Sequence, residues 1–159
     1  MSRQADICRK VAAALQETFS GQLGVTVVIE DGCVPSLEIE RALGKWGVLV
    51  LVGTSGHRRK PGTGASTAGD LAIDLMVVED PQKNRKSGTD VPTVTSVAEA
   101  AKDALHWRIV DGVRLLYVEM ARMDVGDDDY RMAVRFSAVY SLDPTLEVCW
   151  GIGEGTRLN

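Results

Sequence analysis

The apolar positions of this chain fall into stretches of two periods. Ile7, Val11, Ala14, Leu15 and Thr18 lie on one stripe at helical spacing, with Cys8, Ala12 and Phe19 beside it. They predict an amphipathic helix over residues 5–20, stopped by Gly21 and Gly24. Val25 to Glu30 is rich in β-branched residues and reads as a strand ended by Asp31 and Gly32. Residues 36–43 have the form of a short helix, with Ser36 as N-cap and Gly44 at its end. Trp46 to Val52 is a near-continuous apolar run, as expected of a strand buried on both faces. Leu71, Ile73, Leu75 and Val77 alternate with Asp70, Ala72, Asp74 and Met76, which predicts a strand with one strongly apolar face.

The helical period returns over residues 96–107. Ser96 and Glu99 form a capping box, and Val97, Ala101, Ala104 and Leu105 supply the stripe. Asp111 and Gly112 mark a turn. Two long strands are expected after it, Val113 to Met123 and Asp129 to Ser141, joined by the acidic turn Asp124 to Asp129. In the second, Tyr130, Met132, Val134, Phe136, Ala138 and Tyr140 form an apolar ladder at period two, ended by Asp143 and Pro144. Between these elements lie two long polar stretches, 54–69 and 80–95, both expected to be loops, the second broken by Pro81 and Pro92. Structureless loops beyond about 12–15 residues are uncommon in compact domains and are usually functional or disordered. The element order predicts an α+β domain, residues 1–144. It would have a mostly antiparallel sheet of about four to five strands and two helices packed on one face. Residues 145–159 form a Gly-rich tail, with a short strand near Leu146 to Trp150.

Composition narrows the functional classes. The 159 residues suit one core, and 45% hydrophobic with 25% charged residues is the balance of a soluble globular protein. Only 5% are aromatic, so the core must rest on aliphatic side chains. A net charge of −4 argues against sequence-specific or general binding of nucleic acid, whose partners are usually basic. Met1 to Lys10 lacks the basic start and apolar run of a signal peptide, and no stretch reaches the roughly 18 apolar residues of a membrane span. Cys8, Cys33 and Cys149 are odd in number and form no close pair, which suits buried free thiols in a reducing compartment.

The motifs offer little chemistry. Residues 53–64 are rich in Gly and carry Lys60, so a phosphate loop comes to mind. That motif needs Lys followed by Ser or Thr opening a helix, whereas Lys60 precedes Pro61 and a strand. The alternative function, a ligand-binding domain or enzyme holding an anion in loop 53–64, rests on this stretch alone. Gly151, Gly153 and Gly155 echo a dinucleotide fingerprint without the following helix. The acidic turn 124–129 lacks the ligand spacing of a calcium loop. His57 and His106 have no partners that would make a triad or a metal site. The expectation is therefore no enzyme, no cofactor and no metal.

Charge does suggest contacts. Arg58, Arg59 and Lys60 lie in the first long stretch, and Lys83, Arg85 and Lys86 lie in the second. If the second helix crosses back over the sheet, stretch 80–95 and the turn with Asp127, Asp128 and Asp129 lie at the end opposite the first basic run. Such polarity suits head-to-tail or stacked packing of subunits. These nine residues are the candidate partner contacts.

The element order is similar to that of the tail terminator, or tail completion, proteins of tailed phages and prophages. The likeness covers about residues 5–141. It is carried by the N-terminal helix, strands Val25 to Glu30, Val48 to Val52 and Leu71 to Val78, the second helix, and the final pair ending in Val134 to Tyr140. The resemblance implies a small α+β structural subunit that forms a hexameric ring, caps the tail tube and meets the head-tail connector. It implies no enzymatic activity, no cofactor and no membrane, with residence in the host cytoplasm during assembly and then in the virion tail. The tail from Leu146 to Asn159 has no counterpart in that pattern, and Trp150 and Ile152 are candidates for packing on a neighbouring subunit.

Overall fold

A computed structural model describes residues 3–29, 47–59, 68–86, 88, 90–123 and 130–141. The expected short helix at 36–43, the acidic turn 124–129 and the tail 145–159 lie outside the described residues. Helix α1 (Arg3–Thr18) leads into β1 (Val25–Ile29); β2 (Val48–Arg59) and β3 (Ala68–Glu79) follow. A short helix α2 (Pro81–Lys86) and helix α3 (Val94–Leu105) precede β4 (Ile109–Val110), β5 (Val113–Met123) and β6 (Tyr130–Ser141).

The strands form one sheet in the order β1-β2-β3-β6-β5-β4. All neighbours are antiparallel except β1 and β2, which run parallel from Val25↔Val48 to Ile29↔Val52. The fold class is thus α+β as expected, but the sheet is mixed and six-stranded rather than four- to five-stranded. A parallel neighbour needs a crossover connection, and nothing local in the Val25 to Ile29 sequence signals strand direction.

Both polar stretches contain more structure than their composition suggested. Residues 54–59 belong to β2, and pairing with β3 continues to Arg59↔Gly69 through an irregularity between Thr54 and Gly56. Ladder pairing overrides the weak β-propensity of these Gly and Ser residues. In the second stretch, Pro81 starts a helix instead of breaking one. A proline at the first helical position loses no hydrogen bond. The Asp80 carboxylate accepts from the backbone N–H of Gln82 at 3.0 Å and of Lys83 at 3.1 Å, which caps α2. Helix α3 likewise starts earlier than the capping box implied: the Thr93 hydroxyl accepts from Ser96 N–H at 3.2 Å, so Thr93 is the N-cap.

Helices α1 and α3 pack on one face of the sheet, as expected. Ile7, Val11 and Leu15 of α1 and Val97, Ala101 and Leu105 of α3 meet Val50, Leu71, Ile73, Leu75, Val134 and Phe136 in one buried cluster. Of the stripes read from the sequence, Ile7, Val11, Ala14, Leu15, Val97, Ala101 and Leu105 are buried, Ala104 is half-buried and Thr18 is exposed. Met132, Val134, Phe136 and Ala138 of the period-two ladder all contact this core, whereas Tyr130 is exposed. Leu49, Leu51 and Val78 form a second buried cluster on the opposite face. The Val48 to Val52 run is therefore buried on both faces, as its continuous hydrophobicity implied.

Two polar clasps tie distant parts of the chain together. Gly47 N–H donates to Asn84 Oδ1 at 2.6 Å, and Asn84 Nδ2 donates to the buried Glu79 carboxylate at 3.1 Å, which joins α2 to the ends of β2 and β3. Arg3 and Lys10 of α1 both pair with Asp111 in the turn between β4 and β5. That turn has positive φ at Asp111 (52°) and Gly112 (76°), as a two-residue hairpin requires. The hydrogen bond from Lys10 is the main reason that the Asp111 carboxyl titrates below its usual range, and the positive charge of Arg3 adds to it. Cys8 is free and buried, and burial pushes its thiol up to about 11.

Candidate protein-contact surface

The strand register places the two basic runs at opposite ends of the sheet. Arg58 and Arg59 pair with Asp70 and Gly69 at the end where β2 leaves and β3 enters. Lys83, Arg85 and Lys86 lie in α2, directly after the other end of β3. Glu79 pairs with Tyr130, and Met123 with Arg131, so the residues flanking 124–129 share the α2 end. Lys60 and the three carboxylates Asp127, Asp128 and Asp129 lie outside the described residues. Lys83 pairs with Asp80 at 3.8 Å, one turn back on its own helix. Of the stretch 53–64 that carries the anion-loop alternative, residues 53–59 are an extended strand paired with β3, and 60–64 lie outside the described residues.

The sequence reading missed a different feature, at the β4–β5 margin. Trp107 and Ile109 are each 59% exposed, Val118 is 52% exposed, and Leu116, Met123 and Tyr130 are also exposed. Their placement follows from the hairpin. Val110 and Val113 are opposite one another and buried, so Ile109 and Arg114, the next pair, face away from the helices. The Arg114 guanidinium lies 5.6 Å from the Trp107 ring centroid, on the same face. Leu116 follows Arg114 two residues on, also on this face.

Trp107 is held there by the end of α3. Its φ of 67° lies in the left-handed region, costly for a non-glycine residue by roughly 1–2 kcal/mol. Its backbone N–H donates to Leu115 O at 2.8 Å, and Leu115 N–H donates to Arg108 O at 2.9 Å. Side by side with this, Tyr117 N–H donates to His106 Nδ1 at 3.0 Å. After Tyr117 the outer side of β5 has no strand beside it among the described residues. Among the described residues Val118 to Met123 is thus an open sheet edge that also exposes Val118 and Met123. Unpaired edges of this kind are ready templates for another strand.

On the same face, between β2 and β5, lies a groove of about 350 Å³ lined by Leu51, Met76, Ala121, Met123 and Ala133. One wall carries Arg135, which donates to Asp74 at 2.8 Å and to Glu119 at 3.3 Å. These carboxylates, Asp74 above all, hold the guanidinium protonated above the usual arginine range. With Nε held by Asp74 and Nη1 by Glu119, Arg135 links β3, β5 and β6 across the sheet surface. Among the described residues no group of three or more His, Cys, Asp or Glu side chains is placed to hold a metal ion.

A signal for this margin existed in the sequence only as broken alternation. After Leu115, the run Leu116, Tyr117, Val118 carries three bulky apolar residues in a row, which no single buried face can take up. The register shift between Tyr117 and Glu119 is the structural answer, and it re-aims Glu119, Ala121 and Met123 to the helix-free face.

No protein-family model matches the chain, and no curated protein matches it. Among solved structures, a chain from the virion of a native gene transfer agent particle is similar at 14% identity and a TM-score of 0.49, over 88% of this chain and 95% of that one. A chain from a crystal structure from Akkermansia muciniphila is similar at 7% identity and a TM-score of 0.39, over 86% and 76%. Both likenesses are distant, and no function follows from either.

Proposed function

We propose that this chain is a structural subunit of a phage-like particle, of the tail terminator kind. It would form a ring on the end of a tail tube and join the tube to the head. The observation that carries this reading is the β4–β5 margin, where Trp107, Ile109, Leu116 and Val118 stand exposed beside an open strand edge. Exposed apolar clusters with an aromatic and an arginine at their centre mark protein contacts. The order of elements, similar to that of tail terminators, supplies the particular assembly. The subunit acts without catalysis or a cofactor. Arg58 and Arg59 at one end of the sheet, and Lys83, Arg85 and Lys86 at the other, serve as contacts above and below the ring, with Lys60 and Asp127 to Asp129 as further candidate contacts.

Mass in solution tests the reading directly. Light scattering across a concentration series should give a hexamer, or a monomer that shifts toward one. A protein that stays monomeric throughout and is stabilised by phosphate would overturn the proposal in favour of an anion-binding domain, since a ligand of the folded state raises stability by mass action. Charge reversal of Arg58, Arg59 and Lys60 to Glu should weaken assembly while the monomer stays folded.

A further inference from the structure

The strand directions around the sheet contain a further constraint. β1 and β2 run one way, β3 the other, β6 back again, and β5 opposite to β6. The two margins of the sheet, β1 and the long strand β5, therefore run in opposite directions. A second copy of the chain, rotated about an axis parallel to the strands, would present its β1 antiparallel to the first copy's β5. The helices of both copies would then lie on the same side of one continuous sheet.

We infer that β1 of one copy adds to the open edge of β5 in the next, and that this strand addition is the subunit contact of the assembly. The inference rests on the assembly reading above and names its interface. Three observations support this occupant. The first is length. Open β5 runs from Val118 to Met123 and β1 from Val25 to Ile29, roughly 20 and 17 Å at about 3.3 Å per residue. β4 and the His106 side chain cover only the other half of β5, so the incoming strand would continue the line of β4.

The second observation is charge. β5 places Glu119 and Arg122 on its open segment, and β1 consists of Val, Thr and Ile with no charge to oppose either. Two copies of β5 paired with each other would instead need a two-fold axis through the sheet. The registers centred on Glu119 and on Arg122 would then set like charges face to face, which destabilises a cross-strand pair. The third observation is closure. The β1–β5 contact uses different surfaces on its two sides, the kind of contact that generates a ring when the rotation closes. A β5–β5 contact stops at a dimer.

The decisive experiment uses two lysine variants, because a charged side chain on an edge strand blocks strand addition. Val118 and Thr26 are both exposed, so Val118→Lys and Thr26→Lys leave the core intact, which circular dichroism verifies. Each variant alone should lose the wild-type assembly, with self-association weakened by about tenfold or more in sedimentation velocity. Mixed together they should form a discrete dimer of one copy each, since the Thr26→Lys chain keeps its β5 edge and the Val118→Lys chain keeps its β1 edge. Wild type that assembles with both variants assembling equally well would overturn the strand addition and leave the assembly reading standing. An effect of Val118→Lys alone, with Thr26→Lys unchanged, would replace β1 by another contact. Wild type that is monomeric at every concentration would overturn the strand addition, and stabilisation of that monomer by phosphate would overturn the assembly reading as well.

Discussion

The two sides of β5 differ more than any other pair of neighbouring regions. At its start Val113 and Leu115 are buried under α3 and held by the β4 hairpin; from Val118 onward nearly every side chain is exposed and no described strand lies on the side away from β6. The same strand is thus core at one end and surface at the other. Helix cover, not strand sequence, makes the difference: the core beneath α1 and α3 buries Val113 and Leu115 of β5, takes in Tyr117 and Met120 only in part, and leaves Ala121 to Met123 outside it. An element that outruns its cover presents apolar surface, and such surface stays soluble only if something else binds it.

Truncating one side chain packed beside the covered half of β5 and one on its open half gives the widest contrast. Phe136→Ala removes a fully buried ring that meets Tyr117 edge-on at 6.2 Å, and should cost about 3–5 kcal/mol in urea unfolding. Met123→Ala at the exposed end should stay within about 0.5 kcal/mol in the monomer. Equal losses at the two sites would erase the distinction.

Next in size is Gly47→Ala. Gly47 has a φ of 138°, and an added Cβ would sit 2.5 Å from the Gly24 carbonyl oxygen, which accepts from Val48 N–H where β1 and β2 start. The strained backbone alone predicts a loss of about 1–3 kcal/mol. Hydrogen exchange should show it as faster opening of β1, at the margin opposite β5, with α3 unchanged.

Thr93→Ala removes the N-cap of α3, the helix that covers the start of β5, and should cost about 1 kcal/mol in thermal unfolding. Thr93→Ser should keep most of that stability, because the hydroxyl is what accepts from Ser96 N–H.

The smallest effect belongs to Asp111→Asn, in the turn that starts β5. Asparagine tolerates the left-handed backbone at this position, so the change isolates the carboxylate. The folded state holds Asp111 ionised to a lower pH than the unfolded chain, whose carboxyl titrates near 3.8. Its contribution is therefore fully present above the unfolded value and is lost as pH falls through the depressed folded value. For a pair this close to solvent the contribution is below about 1 kcal/mol. The variant's stability should converge on that of the wild type as the pH drops below about 4. A difference that persists unchanged in acid would show that the carboxylate charge is not what matters.

How much was legible beforehand differs between elements for physical reasons. The stripe on α1, the two-sided burial of Val48 to Val52 and the alternation of Leu71 to Val77 could be read directly, because each follows from a period local to its own segment. The Asp111–Gly112 turn was legible because few residues accept positive φ in succession. Pro81 was misread, because a proline starts a helix as readily as it prevents one, and only the Asp80 cap distinguishes the cases. Residues 54–59 were misread because Gly and Ser strands exist only where a partner strand holds them. Of the candidate contacts, Arg58, Arg59, Lys83, Arg85 and Lys86 could be placed at their ends of the sheet. The β4–β5 margin could not be read in advance, since exposure of Trp107, Ile109 and Val118 depends on where α3 stops.

Sequence alone determined the apolar stripes of the two long helices and the alternating faces of the apolar strands, because the 3.6 and 2.0 periods are written into neighbouring residues. Only the tertiary structure decided that β1 runs parallel to β2, that β5 lies second from the margin, and that half of β5 is left open. Those outcomes depend on pairings between residues far apart in the chain, where each strand's backbone offers the same hydrogen bonds to any neighbour and packing chooses among them.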